Sequence, residues 1–336
     1  MSYRLAFHFE DGVTSFADIH AGESVLDAAY RNKINLPMDC SDGVCGTCKC
    51  RCESGAYELG DEYLEEALSG AEARERMVLT CQMKVSSDCT IAVPMSSAAC
   101  KVKPTQGSGV ITEVKLLSAS TILLTLALEQ PVSFLAGQYV LLNIPGTTES
   151  RAYSFSTMPG ARTAGFLIRN VKGGRMSTWL SAVAKPGDRM TFLGPSGSFY
   201  LRPVERPLVM LAGGTGLAPL LSMLETLAQT GTDHPIQLLY GVTRDEDLVE
   251  TARLEALSAR LAGFQWQSCV ADPASAHKLK GYVTNHLANT QLQSGACDVY
   301  LCGPPPMVEA VRQGFAASGV NPVRFFYEKF AVSVSV

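Results

Sequence analysis

The chain has no apolar run fit to span a bilayer. Its most apolar stretch, 208–224, is broken by Gly213, Gly214, Gly216 and Pro219, whereas a membrane helix needs about 20 predominantly apolar residues. No cationic and apolar leader opens the sequence, because Met1-Ser2-Tyr3-Arg4 runs straight into an alternating segment. A protein with no membrane association and a cytoplasmic location is therefore expected. Strong charge is missing too: a net −4 over 336 residues leaves no basic footprint for nucleic acid. The five histidines, His8, His20, His234, His277 and His286, are scattered. None forms a Cys-x-His pair or a two-His-one-carboxylate set, so the chain is expected to do no oxygen chemistry of its own. Neither a P-loop nor a nucleophile elbow occurs, and there are no internal repeats.

Cysteine, by contrast, is plentiful. Eleven are present, an odd number with no leader before them, which points to free thiols and metal ligation in a reducing compartment. Cys40, Cys45 and Cys48 stand at the spacing C-x4-C-x2-C, and Cys81 follows after a 32-residue gap. That is the plant-type ligand pattern for a [2Fe–2S] cluster: one loop supplies three thiolates and the fold supplies the fourth. Gly43 and Gly46 allow positive φ angles in that loop. A zinc site is the competing reading, but zinc knuckles come as two matched C-x2-C pairs and only one is present. Cys50, Cys52, Cys89 and Cys100 fit no ligand spacing and read as small apolar residues.

The length allows two or three domains. Residues 1–98 hold 8 Lys and Arg against 16 Asp and Glu, a net −8, while the remainder holds 20 against 16, a net +4. This acidic module either steers docking or merely keeps a small domain soluble. Within it, Tyr3–Phe9 and Val13–Ile19 alternate around a turn as a hairpin does. Ser24 caps a helix from Val25 to about Lys33, Asp61–Leu68 reads as a short acidic helix, Met77–Met83 as a strand carrying Cys81, and Cys89–Val93 as a closing strand. A small mixed sheet over one helix is expected, followed by a linker at 99–107. Residues 108–203 hold six short strand-like runs, Gly109–Leu117, Ser120–Leu128, Gln138–Ile144, Ala152–Ser156, Gly165–Val171 and Arg189–Leu193, with one helix opening near Ser177. That spacing argues an antiparallel β-barrel. From 204 to 336 the apolar runs Leu208–Ala212, Gln237–Val242, Phe264–Val270, Val299–Cys302 and Val323–Tyr327 alternate with helical segments, the pattern of a parallel α/β sheet.

Three further motifs bear on chemistry. Strand 208–212 leads into Gly213-Gly214-Thr215-Gly216 and then a helix with Pro219 in its first turn, a site for a dinucleotide pyrophosphate. The full GxGxxG is absent, and glycine turns after strands also occur for packing alone. On a barrel strand, Arg151-Ala152-Tyr153-Ser154 offers a phosphate fork, a ring cover and a hydroxyl. Gly173-Gly174-Arg175-Met176-Ser177, before the barrel helix, offers a second pyrophosphate site, and the two together suit a flavin dinucleotide. Cys302-Gly303-Pro304 ends a strand of the α/β sheet, where ligands bind beyond strand carboxyl ends. Cys302 thus either faces a nicotinamide or is a buried strand cysteine. Tyr327-Glu328-Lys329-Phe330 reads equally as a last strand or as a lid over a ring.

Taken together these residues resemble the three-domain reductases of aromatic-ring-hydroxylating dioxygenases, with the benzoate, toluate and anthranilate 1,2-dioxygenase reductases nearest. In them a plant-type ferredoxin domain, a β-grasp, is fused to a ferredoxin–NADP reductase-like flavin and nicotinamide pair. The resemblance covers essentially the whole chain. It implies that Cys40, Cys45, Cys48 and Cys81 hold the cluster, Arg151 contacts the FAD phosphates, Tyr153 packs on the flavin and Ser154 sits near its N5. It also implies that Gly174 to Ser177 bind the FAD pyrophosphate and Gly213, Gly214, Thr215 and Gly216 the nicotinamide dinucleotide. By the same resemblance Cys302, with Gly303 and Pro304, would lie near the reactive ring, and Glu328 and Phe330 match the family's C-terminal Glu-x-aromatic. Phe330 stands where plant-type ferredoxin reductases have tyrosine, and six more residues follow it, which leaves its capping role open. The implied path runs from NADH to FAD to the [2Fe–2S] cluster to a separate Rieske-type oxygenase. Asp245, Glu246 and Asp247 would repel a 2′-phosphate and favour NADH, although Arg244 would attract one. The alternatives are a reductase of a di-iron or other monooxygenase, or a non-turnover sensor or assembly subunit.

Overall fold

Alternation decides the first strands. Leu5, Phe7 and Phe9 are buried and their neighbours are not, which fixes one face of β1 (Ser2–Phe9) on a core and pairs it antiparallel with β2 (Thr14–His20). The computed structural model describes residues 2–330 apart from Asp39, Gln291, Gln293 and Ser294. It divides into two compact units, Met1–Thr105 with Ser196–Ser198, and Gln106–Pro195 with Phe199–Val336.

In the first unit, β3 (Lys49–Ser54), β4 (Tyr57–Leu59), β5 (Met77–Leu79), β6 (Met83–Val85) and β7 (Cys89–Val93) complete the strands. Five of them form a mixed sheet in the order β2-β1-β7-β3-β5, with β1 and β7 parallel, and β4 pairs with β6. Helix α1 (Val25–Arg31) buries Val25, Leu26, Ala28 and Ala29, and its cap is the expected one: Ser24 Oγ accepts from Asp27 N at 3.1 Å. Two expectations fail locally. Asp61–Leu68 is not a helix; the helix here is α2 (Gly70–Arg74), started by the capping box of Ser69 and Glu72. The stretch before it lies with its backbone against the cysteine loop, where Leu64 N donates to Gly43 O (3.2 Å), and it forms only a turn in which Ala67 N and Leu68 N both donate to Leu64 O (3.0 and 3.1 Å). Nor is Met77–Met83 one strand. It breaks at 80–82 into β5 and β6, which sets Cys81 in a turn.

In the second unit, β8 (Thr105–Ser118), β9 (Thr121–Leu128), β10 (Tyr139–Asn143), β11 (Ser150–Ser154), β12 (Thr163–Arg169) and β13 (Arg189–Ser196) are the six strands expected, in the order β11-β10-β13-β8-β9-β12. Ser156 N donates to Gly165 O (2.8 Å), which joins the chain leaving β11 to β12 and closes the sheet on itself. Leu124, Leu126, Val140, Leu142, Phe155 and Phe166 fill the interior. Helix α3 (Arg175–Ala182) starts two residues earlier than the motif suggested. The expected linker at 99–107 is partly ordered: a 3₁₀ turn covers Ala99–Lys101, and β8 has begun by Thr105.

The α/β half follows. Strands β14 (Leu208–Gly213), β15 (Ile236–Val242), β16 (Phe264–Val270), β17 (Asp298–Gly303) and β18 (Arg324–Lys329) are all parallel, in the order β16-β15-β14-β17-β18. Helices α4 (Leu217–Thr230), α5 (Thr251–Arg260) and α6 (Pro305–Ser318) flank them. The strand order reverses between β14 and β17, the switch point where such sheets open a crevice. The barrel and this sheet share one apolar core, in which Leu167 and Phe199 pack with Met210, Leu220 and Tyr240. Ser222 Oγ donates to Thr157 O (2.7 Å), and Arg253 Nη2 to Ser156 O (2.6 Å). These bonds pin α4 and α5 to the segment that follows β11.

At the opposite end of the sheet, the buried Asp298 carboxylate accepts from Arg206 Nη1 (3.1 Å) and from Arg324 Nε (3.0 Å) and Nη2 (2.6 Å). Both arginines are partly exposed, which moderates the cost of losing their acceptor. Asp298→Ala is expected to lower stability by about 2–3 kcal/mol in urea unfolding, and Asp298→Asn by less. A variant as stable as the parent would show that the carboxylate is incidental.

Candidate active site and cluster loop

In the first unit the four cysteines come together as two pairs. Cys40 Sγ and Cys45 Sγ are 3.1 Å apart, and Cys48 Sγ and Cys81 Sγ are 3.3 Å apart. The fold explains the second pair. Antiparallel pairing of Lys49 with Leu79 sets Thr80 opposite Cys48, whose carbonyl accepts from both Thr80 N (3.2 Å) and Oγ1 (3.1 Å). Leu26 N then holds Thr80 O from α1 (2.9 Å), so Cys81 meets Cys48 at a fixed point. Gly43 and Gly46 have φ of +84° and +73°, and a β-carbon on either would strike the 62–67 backbone at 2.7 and 2.9 Å. The loop amides turn inward: Cys45 N donates to Cys40 Sγ (3.3 Å) and Thr47 N to Cys45 Sγ (3.4 Å). The hydrogen bond from Cys81 lowers the Cys48 thiol to about 7 against the opposing effect of burial, and the same bond pushes Cys81 up. Two sulfur pairs with amides aimed at sulfur fit a two-iron group, which takes two thiolates on each iron. A single tetrahedral ion needs all four at one point.

The second unit carries the flavin motif. Tyr153 is half-buried against the barrel core, and burial raises its phenol well above the usual range, so it is a neutral ring. Arg151 Nη2 donates to Glu149 Oε2 (2.8 Å), and Arg175, the first residue of α3, pairs with the other oxygen of the same carboxylate. One anion held by both arginines is the arrangement a diphosphate requires. In the Gly174–Ser177 turn, only part of the expected set points outward. Met176 is buried in the barrel core, and Ser177 Oγ accepts from Val171 N (3.0 Å) and donates to Arg169 O (3.2 Å). These two side chains hold the turn in place, which leaves backbone amides and Arg175 to meet a ligand.

Three strands then converge. Ser154 ends β11 and is 4% exposed, Cys302 lies near the end of β17, and Glu328 is its register partner on β18. Ser154 Oγ donates to Glu328 Oε2 (3.3 Å), and Cys302 Sγ lies 4.0 Å from the same oxygen. Cys302 is fully buried, and burial followed by the Glu328 charge pushes its thiol far above the ordinary value. It is a neutral thiol, not a nucleophile. Phe330 N donates to Gly303 O (2.8 Å), which carries the ring into a cleft of about 470 Å³ lined also by Gly213, Gly214, Thr215, Pro304 and Arg169. The six residues after Phe330 lie outside the described residues. Gly216 sits so close to β17 that a β-carbon would fall 2.3 Å from Cys302 O. The glycine turn is a 3₁₀ step at Gly214–Gly216 running into α4.

Of the acids after β15, only Asp247 lines the cleft. Its Oδ1 accepts from Ser120 Oγ (2.5 Å) and Ser118 Oγ (3.4 Å) on the barrel. Asp245 accepts from Ser275 Oγ (2.7 Å), while the exposed Arg244 faces Glu246 at 3.7 Å. Sequence reasoning missed Glu149, Arg169 and the two serines. No motif marks them: the serines meet Asp247 across more than a hundred residues, and Glu149 reaches Arg175 from a separate element.

A closed barrel with this motif, a parallel sheet with a glycine turn and a four-cysteine loop define an iron–sulfur flavoprotein oxidoreductase. Family models match accordingly: a 2Fe-2S iron-sulfur cluster binding domain at 8–86, an oxidoreductase FAD-binding domain at 108–200 and an oxidoreductase NAD-binding domain at 210–313. The chain is 53% identical to a toluate 1,2-dioxygenase electron transfer component of Pseudomonas putida, over 99% of this chain and 100% of the relative. It is 50% identical to a 2-halobenzoate 1,2-dioxygenase electron transfer component of Burkholderia cepacia, over 99% of each. Its structure resembles a crystal structure of an Amycolatopsis cytochrome P450 reductase with a TM-score of 0.72 at 30% identity, over 97% of this chain and 98% of that one. The chain belongs to the family of aromatic-ring dioxygenase electron transfer components. Among the described residues no helix is long and apolar enough to cross a membrane.

The Gly216 contact yields a test. Gly216→Ala forces the glycine turn away from β17, and a misplacement of that size costs on the order of 100-fold in rate. Stopped-flow reduction by the nicotinamide substrate is expected to slow accordingly, while dithionite reduction and the visible spectrum stay unchanged. Normal stopped-flow rates would mean that the close approach does not align the substrate.

Proposed function

We propose that the chain carries electrons from NADH through FAD and a [2Fe–2S] cluster to a separate Rieske-type oxygenase acting on an aromatic acid, in a cytoplasmic setting. The convergence of Ser154, Cys302 and Glu328 from three strands carries this reading, because hydride transfer depends on alignment of two rings. FAD, when bound, supplies the conversion between a two-electron hydride and the one-electron steps of an iron–sulfur centre. The remaining work falls to the chain. Arg151 and Arg175, with the amides of Gly174, Met176 and Ser177, hold the diphosphate, and Tyr153 covers the flavin ring. Ser154 holds its Oγ proton toward Glu328 and would set its hydroxyl near flavin N5. Gly213, Gly214, Thr215 and Gly216 receive the dinucleotide pyrophosphate, while Cys302, Gly303 and Pro304 wall the nicotinamide. Phe330, at the cleft, shields the ring face. Cys40, Cys45, Cys48 and Cys81 bind the cluster. In this reading the domains are 1–98 for the cluster, 108–203 for FAD and 204–336 for NAD, with a linker at 99–107.

The exposed acids Asp61, Glu62, Glu65 and Glu66, on the stretch that covers the cluster loop, are the docking surface in this reading. NADH is favoured over NADPH because Asp247 lines the cleft and would face a 2′-phosphate with like charge. A monooxygenase acceptor is the second reading, supported by the likeness to a cytochrome P450 reductase; reconstitution with both kinds of oxygenase separates the two.

Cys81→Ser is expected to leave ferricyanide reduction by NADH near the parental rate and to abolish cytochrome c reduction, since the exit centre is lost. Cytochrome c reduction at the parental rate would remove the cluster from the path. The ratio of kcat/KM for NADH over NADPH is expected to exceed about tenfold, the effect of one like-charge contact; a preference for NADPH would overturn the nucleotide assignment.

A further inference from the structure

The hairpin between β10 and β11 ends at Glu149. Ile144 N donates to Glu149 O (2.8 Å), and Glu149 N donates to Thr147 Oγ1 (3.1 Å), so its backbone is held at the foot of β11. The side chain engages two guanidinium groups at once, Arg151 Nη2 at 2.8 Å and Arg175 Nη1 through its other oxygen. Arg151 is anchored independently, since Nη1 donates to Ser150 O (2.8 Å). Its position on the strand therefore does not depend on the carboxylate. No side chain caps α3, so the Arg175 end of the site gains no other negative charge from a cap.

We infer that Glu149 is a built-in competitor for the FAD diphosphate: its carboxylate occupies the two arginines and must give them up when the flavin loads. The charges require this exchange. Two guanidinium groups facing a diphosphate are balanced, whereas a carboxylate left among them sets like charges side by side. Glu149 is 28% exposed in its side chain, Arg151 21% and Arg175 58%, so the carboxylate has water to turn into. Loading then breaks two solvent-screened ion pairs, each worth about 0.2–1 kcal/mol. Glu149 thereby sets how tightly FAD is held without touching the flavin ring.

The inference rests on assigning Arg151 and Arg175 to the diphosphate, and one experiment separates the two. Flavin is stripped from the cluster-loaded protein, and FAD and riboflavin are titrated by flavin fluorescence. Glu149→Gln is expected to bind FAD roughly 2- to 30-fold tighter than the parent and riboflavin, which has no diphosphate, equally well. The gap for FAD should narrow at high salt. If Glu149→Gln fails to fold, Glu149→Ser carries the same expectation. Unchanged or weaker FAD binding in a variant with the parental circular dichroism and cluster spectrum overturns the inference, as does equal tightening for riboflavin. Arg151→Ala and Arg175→Ala decide which idea has failed. If both weaken FAD while Glu149→Gln does not strengthen it, the competitor falls and the arginine assignment stands. If neither weakens FAD, the assignment falls and takes the competitor with it.

Discussion

A missing β-carbon governs the nucleotide-binding half. Gly216 lies against the carbonyl of Cys302 at a distance that admits no side chain, and this contact presses the glycine turn onto the end of β17. From there the parallel register does the rest. Cys302 stands beside Glu328, Phe330 is tied to Gly303, and the Glu328 carboxylate reaches Ser154 on the barrel. Burial keeps the Cys302 thiol neutral, so no second negative charge stands beside that carboxylate. The chain's share in the chemistry is thus largely exclusion and alignment, in keeping with a reaction whose reactive atoms belong to cofactors.

The cluster loop obeys a different constraint. Its shape is imposed from outside, by the 62–67 backbone above it and by Thr80 beside it, and not by regular structure of its own. Polar neighbours keep that frame rigid. Glu72 is almost wholly buried, yet it receives Lys49 Nζ (2.8 Å) and both the backbone and hydroxyl of Ser69 (2.9 and 3.0 Å). A buried carboxylate satisfied in this way stabilises one arrangement over its alternatives. It sits on α2, directly after the acidic stretch that covers the loop.

The architecture was legible because period and punctuation agree. Apolar runs bounded by glycine and proline marked the six barrel strands and the five parallel strands, and Ser24 announced α1. The errors have a common cause. Asp61–Leu68 has helix-forming residues but ties Leu64 N to Gly43 and forms only a turn, and Cys81 leaves its strand to reach Cys48; in both places a tertiary contact overrides local preference. Within the flavin motif, the sequence offered Arg151, Tyr153 and Ser154 as candidates on one strand. It could not show that Met176 points into the core or that Glu149 bridges two arginines from separate elements. Side-chain direction at a helix start and pairings between distant segments are fixed only once the barrel closes.

Asp247 joins two roles in one atom. Its Oδ1 binds Ser118 and Ser120 of the barrel while the residue lines the cleft of the α/β sheet. Evolutionary drift at this position is therefore costly in an unusual way. A replacement that reshapes the nucleotide end of the cleft also strips two hydroxyls of their acceptor and loosens the seam between barrel and sheet. The shape of that end of the cleft is tied to the seam, so a change at one is felt at the other.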